Sequence, residues 1–300
     1  MHILVSGLVN TETTTAVRGF PIQYYPIDYT FFGVNTAVSG VAYNIAKALT
    51  KLTDEVRLIS MTGNDFPAAF ILNSLRELGI ATDYIQPKLR QTPSSVVLYD
   101  PDGKRQIYCD LKDIQETPCE FVSSVLEGID LVVACNINFN RPLLRLAKEA
   151  GKIIATDVHV LSNVHDEYNR EFMEQADILF LSDEGVGDYY RDFMWQLADT
   201  YPCQIIVMGR GGKGAAIYLR QTGEVTDLPA ASVGSVVNTI GAGDALFSAF
   251  LHYYAKGLAP VDALQRAQLF AAYKITANGA SNGFVTEKVI EERGFGLAVD

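Results

Sequence analysis

Asn238-Thr239-Ile240-Gly241-Ala242-Gly243-Asp244-Ala245-Leu246-Phe247-Ser248-Ala249-Phe250-Leu251 joins a glycine-rich turn to an apolar stretch of helical length. A turn feeding a helix N-terminus exposes several backbone N–H groups and the positive end of the helix dipole. Such donors hold anionic oxygens without a basic side chain. Asp244 falls in the first turn of this helix. A carboxylate there either caps the helix or, with a phosphoryl group over the turn, takes the proton from an attacking hydroxyl. In an isolated Gly-x-Gly-Asp, capping is the default reading, and the rest of the chain has to decide.

A second glycine cluster lies upstream. Gly209-Arg210-Gly211-Gly212-Lys213-Gly214 spells G-x-G-x-x-G after the apolar segment Ile205–Met208. Dinucleotide binding requires a helix next and an acidic residue about 20 positions on. Here Ala215-Ala216-Ile217-Tyr218-Leu219 and then Gln221-Thr222-Gly223 follow, which predicts a strand and a turn. The segment is also no Walker loop, because Val207 stands where its first glycine belongs.

Farther out, short apolar runs alternate with helical patterns. His2–Val5, Val56–Met61, Leu131–Val133, Ile153–Thr156, Ile178–Leu181 and Ile205–Met208 read as buried strands. Val38, Val41, Ala42, Ile45, Leu49 and Leu52 share a face at helical period, as do Phe70, Leu72, Leu75 and Leu78, and Leu143, Leu144, Leu146 and Ala147. The alternation predicts βαβ units and a mainly parallel sheet in an α/β fold. With no linker-like stretch, residues 1–300 read as one domain. Two segments break the pattern: Phe20–Tyr24 and Thr30–Phe32 around Tyr25–Asp28, and Ser95–Tyr99 and Arg105–Cys109 around Asp100–Lys104. Both read as hairpins, within about 12–34 and 92–112, that together would make a small antiparallel lid or remain ordinary surface hairpins.

Composition limits the partners. Lys and Arg number 24 against 35 Asp and Glu, a formal net charge of −11, which argues against nucleic acid or an anionic membrane surface. Cys109, Cys119, Cys135 and Cys203 form no CxxC pair, and His2, His159, His165 and His252 form no metal motif, so reduced thiols in a cytoplasmic protein are expected. The N-terminus lacks a basic leader, and the longest mainly apolar run, Ala245–Ala255, is too short to span a bilayer.

The stretch Asn238–Leu251 resembles the C-terminal signature of the ribokinase-like, or PfkB-type, carbohydrate kinase family. Gly40-Val41-Ala42-Tyr43-Asn44-Ile45-Ala46 is similar to the N-terminal signature, Gly63-Asn64-Asp65 to its Gly-x-Asp, Gly211–Ala215 to the turn before the nucleotide site, and Asn278-Gly279-Ala280 to a late adenine-pocket segment. The matches fall in family order along nearly the whole chain. The resemblance implies a three-layer α/β/α sandwich with a β lid, moving the γ-phosphoryl of ATP to a hydroxymethyl group of a sugar, with a nucleoside as the alternative acceptor. It implies Asp244 as base and the N–H groups of Gly241, Ala242 and Gly243 as anion hole. Gly40, Asn44, Glu12 (in place of a family Asp) and Arg105 would face substrate. Gly211, Gly214, Thr239, Asn278, Gly279 and Ala280 would line the nucleotide. Asp183 or Glu184 would order a water on Mg²⁺, and Asn238 would stand near a monovalent cation such as K⁺. A homodimer through the lid edges is a further expectation.

The departures bear on activity. The family's Asn-x-x-Glu segment is here Ser182-Asp183-Glu184-Gly185, and Asp157-Val158-His159-Val160-Leu161 stands for Asp-x-Asn-x-Arg. They leave open a catalytically impaired sugar or nucleoside binder, although a pure binder has no need of Asp244. A nicotinamide enzyme built on Gly209–Gly214 is the remaining competitor.

Overall fold

The short apolar segments all lie in one sheet, each extended by a residue or more at one end. In the computed structural model, which describes residues 1–101 and 104–293, the strands are β1 (His2–Ser6), β2 (Asn10–Ala16), β3 (Val34–Ser39), β4 (Glu55–Met61), β5 (Ile85–Gln86), β6 (Ser94–Tyr99), β7 (Arg105–Asp110), β8 (Leu131–Ala134), β9 (Ile153–Val160), β10 (Ile178–Ser182), β11 (Ile205–Gly209), β12 (Ala215–Leu219) and β13 (Glu224–Leu228). The helices are α1 (Val41–Lys51), α2 (Phe66–Glu77), α3 (Arg141–Glu149), α4 (Arg170–Gln175), α5 (Tyr190–Thr200), α6 (Ala242–Ala255), α7 (Pro260–Lys274) and α8 (Glu287–Glu292).

The main sheet has nine strands in the order β13-β12-β11-β10-β9-β8-β1-β4-β5. Pairing is parallel from β11 to β5, while β12 and β13 run antiparallel at one edge. The inner strands β1, β8, β10 and β11 are almost continuously apolar because both of their faces are covered. Ile3, Val5, Val133, Phe180 and Val207 pack into the core under α1, α2, α6, α7 and α8. Their neighbours Leu4, Val132, Leu179, Leu181 and Met208 point the other way, under α3, α4 and α5. The result is an α/β/α sandwich with one hydrophobic core on each face of the sheet. Chain order reverses beside β1, which opens a crevice at the carboxyl ends of the parallel strands.

A four-stranded sheet, β3-β2-β6-β7, forms the lid. Two antiparallel hairpins, β2/β3 and β6/β7, meet through a parallel pairing of β2 with β6. The second hairpin lies where the sequence predicts it, though Asp102 and Gly103 of its turn fall outside the described residues. The first does not. Its arms are Asn10–Ala16 and Val34–Ser39, and Phe20–Tyr24 and Thr30–Phe32 belong to the strandless connection between them. The β-branched threonines of 11–15 favour the pleated backbone, and Thr13 and Thr36 hydroxyls meet across the pair at 3.0 Å. Val38 likewise belongs to β3 rather than to the face of α1.

Candidate active site

The turn 238–241 is shaped by its own residues. Asn238 Oδ1 accepts the Ile240 N–H at 2.8 Å, an Asx-type closure. Gly241 then adopts φ 76°, the left-handed region, and a Cβ there would fall 2.1 Å from the Ala280 carbonyl oxygen. Only glycine satisfies both constraints. The Ala242 N–H is taken by the Thr239 carbonyl at 3.2 Å. Among the described residues, the N–H groups of Gly241, Gly243 and Asp244 have no protein acceptor. The donors at this helix N-terminus are therefore those of 241, 243 and 244, with Ala242 serving the turn.

Asp244, in the first turn of α6, accepts a 2.7 Å hydrogen bond on Oδ2 from Asn44 Nδ2. Asn44 lies on the buried face of α1, whose N-cap is Gly40. Gly40 has φ 102°, and a Cβ there would strike the Leu8 carbonyl oxygen at 2.5 Å, so glycine is again required. Asn44 Oδ1 is buried without a partner, and so is Asn10 Oδ1 at the start of β2. Asn10 Nδ2 donates to Ser95 Oγ at 3.1 Å. The lid supplies two more groups. Glu12 accepts from Ser39 Oγ at 3.4 Å, and Arg105 on β7 reaches across to donate to Thr239 Oγ1 at 3.3 Å.

Burial pushes the Asp244 carboxyl up from its ordinary range; the Asn44 hydrogen bond and the charges of His159 and Lys274 pull it back, while Asp157 opposes them. Glu12 is also pushed up, first by burial and then by the Asp244 charge, with the Ser39 hydrogen bond acting against both. Lys274, wholly buried at the end of α7, donates from Nζ to the Asn238 carbonyl at 3.1 Å. Its pKa falls to about 8 because burial disfavours the ammonium, offset in part by Asp244.

Of the sequence candidates, contacts bring Asp244 to Asn44, Gly241 to Ala280 and Arg105 to Thr239. Gly211 and Gly214 lie on the β11–β12 turn, closed by Arg210 N–H to the Gly214 carbonyl at 2.8 Å, and a strand rather than a helix follows. Asn278 is exposed beside Gly279, its carbonyl accepting from Asn282 Nδ2 at 2.9 Å. Asp183 sits 3.8 Å from the Arg210 guanidinium, and Glu184 is exposed. Among the described residues no group of three or more His, Cys, Asp or Glu is arranged to hold a metal ion. A Cβ at Gly185 would lie 2.4 Å from the Leu161 carbonyl oxygen, so a Glu at the end of this segment would require the backbone to shift. Sequence reasoning missed Lys274, Asn10 and Arg210. Lys274 reads as an ordinary basic helix end. Asn10 ends Gly7-Leu8-Val9-Asn10, two positions before Glu12, and nothing local gave its side chain a role. Arg210, lying 3.8 Å over the Tyr190 ring and 3.0 Å from Asp227, was concealed inside the glycine cluster.

Residues 2–287 match the family model described as pfkB family carbohydrate kinase. The chain is 26% identical over 245 residues to fructosamine kinase FrlD of Bacillus subtilis, covering 79% of this chain and 81% of the relative. It is 25% identical over 301 residues to deoxyribokinase of Salmonella typhi, covering 95% of each. A microbiome-derived acarbose kinase shares the fold with a TM-score of 0.86 at 22% identity, over 97% of each chain. Nearly the whole length of the chain is accounted for, and it belongs to the pfkB family of carbohydrate kinases.

Proposed function

We propose that this kinase transfers the γ-phosphoryl group of ATP to a hydroxymethyl group of a sugar. The observation that carries the reading is the Asp244 carboxylate, oriented by Asn44 at 2.7 Å, in the same helical turn as the unpartnered N–H groups of Gly241, Gly243 and Asp244. In the proposed reaction the acceptor hydroxyl gives its proton to Asp244 and its oxygen bonds to the γ-phosphorus. The bond from that phosphorus to the β,γ-bridging oxygen breaks, and ADP leaves with the electron pair. The N–H groups meet the charge on the transferring group with little reorganisation. Asn44 Oδ1 and Asn10 Oδ1, buried and unpartnered, are suited to accept from acceptor hydroxyls. Magnesium carried on the nucleotide would screen its phosphates, which needs few protein carboxylates, and Asp183 is already turned to Arg210.

The test is ADP release from Mg-ATP over a panel of sugars and nucleosides, with Asp244→Ala alongside. Turnover with one acceptor class, lost in the variant, supports the reading; equal turnover in both would refute the role of Asp244. The altered Ser182–Gly185 segment favours one other reading, an impaired sugar or nucleoside binder, which predicts ligand-induced stabilisation with no ADP.

The proposed partner, besides the small molecule, is a second copy of the chain. The lid and its connection expose Tyr24, Tyr29, Phe31, Phe32 and Tyr108, the first four between 76% and 100% accessible. An apolar surface of that kind marks an interaction face. Sedimentation should find a dimer that Phe31→Glu converts to monomer.

A further inference from the structure

Lys274 is the only Lys or Arg that is fully buried among the described residues. Its Nζ reaches the Asn238 main-chain oxygen at 3.1 Å. The charges it feels are Asp244 on α6 and Glu12 on β2, which favour it, and Arg105 on β7, which opposes it. A buried ammonium without a directly paired carboxylate is costly, and this one lies under the turn whose N–H groups face the proposed phosphoryl site.

The family resemblance implies a monovalent cation near Asn238, and the residues present do not fit one. The Asn238 carbonyl already accepts from Lys274, and Oδ1 already accepts from the Ile240 N–H at 2.8 Å. The side chain is a neutral amide, not a carboxylate, so the oxygens that would attract K⁺ are uncharged and engaged. We propose that the Lys274 ammonium takes the place of a monovalent cation, fixing the 238–241 turn and supplying positive potential beneath its donors, so that the reaction needs no added K⁺. Lys274 is thus a positioning residue, and the inference rests on the kinase reading above.

The experiment compares wild type, Lys274→Ala and Lys274→Met in potassium, ammonium and tetramethylammonium chloride. It reads both melting temperature, with and without MgADP, and turnover. Wild type should turn over equally in the three salts, within about twofold. Lys274→Ala should lose about tenfold or more in turnover, the scale of one contact to a charged group. Part of that loss should return in ammonium or potassium, with a rise in melting temperature that wild type does not show. Lys274→Met fills the space without charge, so it should stay folded, remain impaired and not respond to salt. Three results would overturn the proposal: wild-type turnover that rises about tenfold with potassium, Lys274→Met that matches wild type, or folded Lys274→Ala that ignores every cation. If Lys274→Ala does not fold, Lys274→Met against wild type decides. If no acceptor yields ADP, the kinase reading fails, and the salt response of the melting temperatures still decides the role of Lys274.

Discussion

Asn44 Nδ2 holds Asp244 Oδ2 at 2.7 Å across 200 positions of sequence. The bond ties α1 to α6, two helices that pack side by side, and it stabilises the charged form of the carboxylate. Its removal in Asn44→Ala lets burial dominate and raises the Asp244 pKa further. The acid limb of the kcat/KM profile should therefore move to higher pH. At neutral pH kcat/KM should fall by about 10- to 100-fold, as for a lost hydrogen bond to a charged group. A pH–rate profile with an unmoved acid limb counts against the pairing.

Asp244→Asn separates stability from activity. The folded-state pKa of Asp244 lies above its ordinary 3.8, so over the window above 3.8 the folded chain binds more protons than the unfolded one. Stability is lost as pH rises through that window. The neutral amide removes this penalty, and the variant should melt higher than wild type at neutral pH. The gain should vanish as pH falls below the ordinary value. Turnover should drop at least about 10²-fold, the scale of a positioned base. Differential scanning fluorimetry across pH, beside an ADP assay, checks both halves.

Gly241 and Gly243 should respond oppositely to the same substitution. Gly241→Ala combines a left-handed φ with a Cβ 2.1 Å from the Ala280 carbonyl oxygen. The backbone strain alone costs about 1–3 kcal/mol, and the clash adds to it, so a large fall in melting temperature is expected. Gly243 has nothing within 4 Å of its added Cβ and no left-handed φ. Gly243→Ala should gain up to about 1 kcal/mol of helix propensity. It should also raise the KM for ATP, because its methyl crowds the face where the free N–H groups gather.

Restoring the family residue at position 185 should not restore anything. Gly185→Glu drives a Cβ to within 2.4 Å of the Leu161 carbonyl oxygen. The expected result is a lower melting temperature with no gain in turnover; a gain would mean that the 161–185 contact yields easily.

Legibility in the sequence followed how local each signal was. The buried strands could be read because a sheet covered on both faces demands unbroken apolar runs, as in Ile205–Met208. Asp244 and its glycines were legible because a helix N-terminus is built from consecutive residues. The first lid hairpin was misplaced, since aromatic residues in 20–32 mimic strands while the true strand, Asn-Thr-Glu-Thr-Thr-Thr-Ala, carries little apolar patterning. Lys274 could not be found, because what makes it unusual is burial beneath Asn238, a contact across 36 positions that leaves no periodic trace. The absence of Glu at 185 was visible, but the close approach of the Leu161 backbone to that position was not.

The Arg105–Thr239 bond at 3.3 Å joins the lid to the turn proposed to meet the nucleotide. A ligand on either side that favours this contact lowers the free energy of the arrangement that contains it, for the other ligand as well. Thermodynamic reciprocity then requires each ligand to raise the affinity of the other by one common factor. For the proposed acceptor and nucleotide, such coupling would make the two dissociation constants conditional quantities, each defined only at a stated concentration of the other ligand.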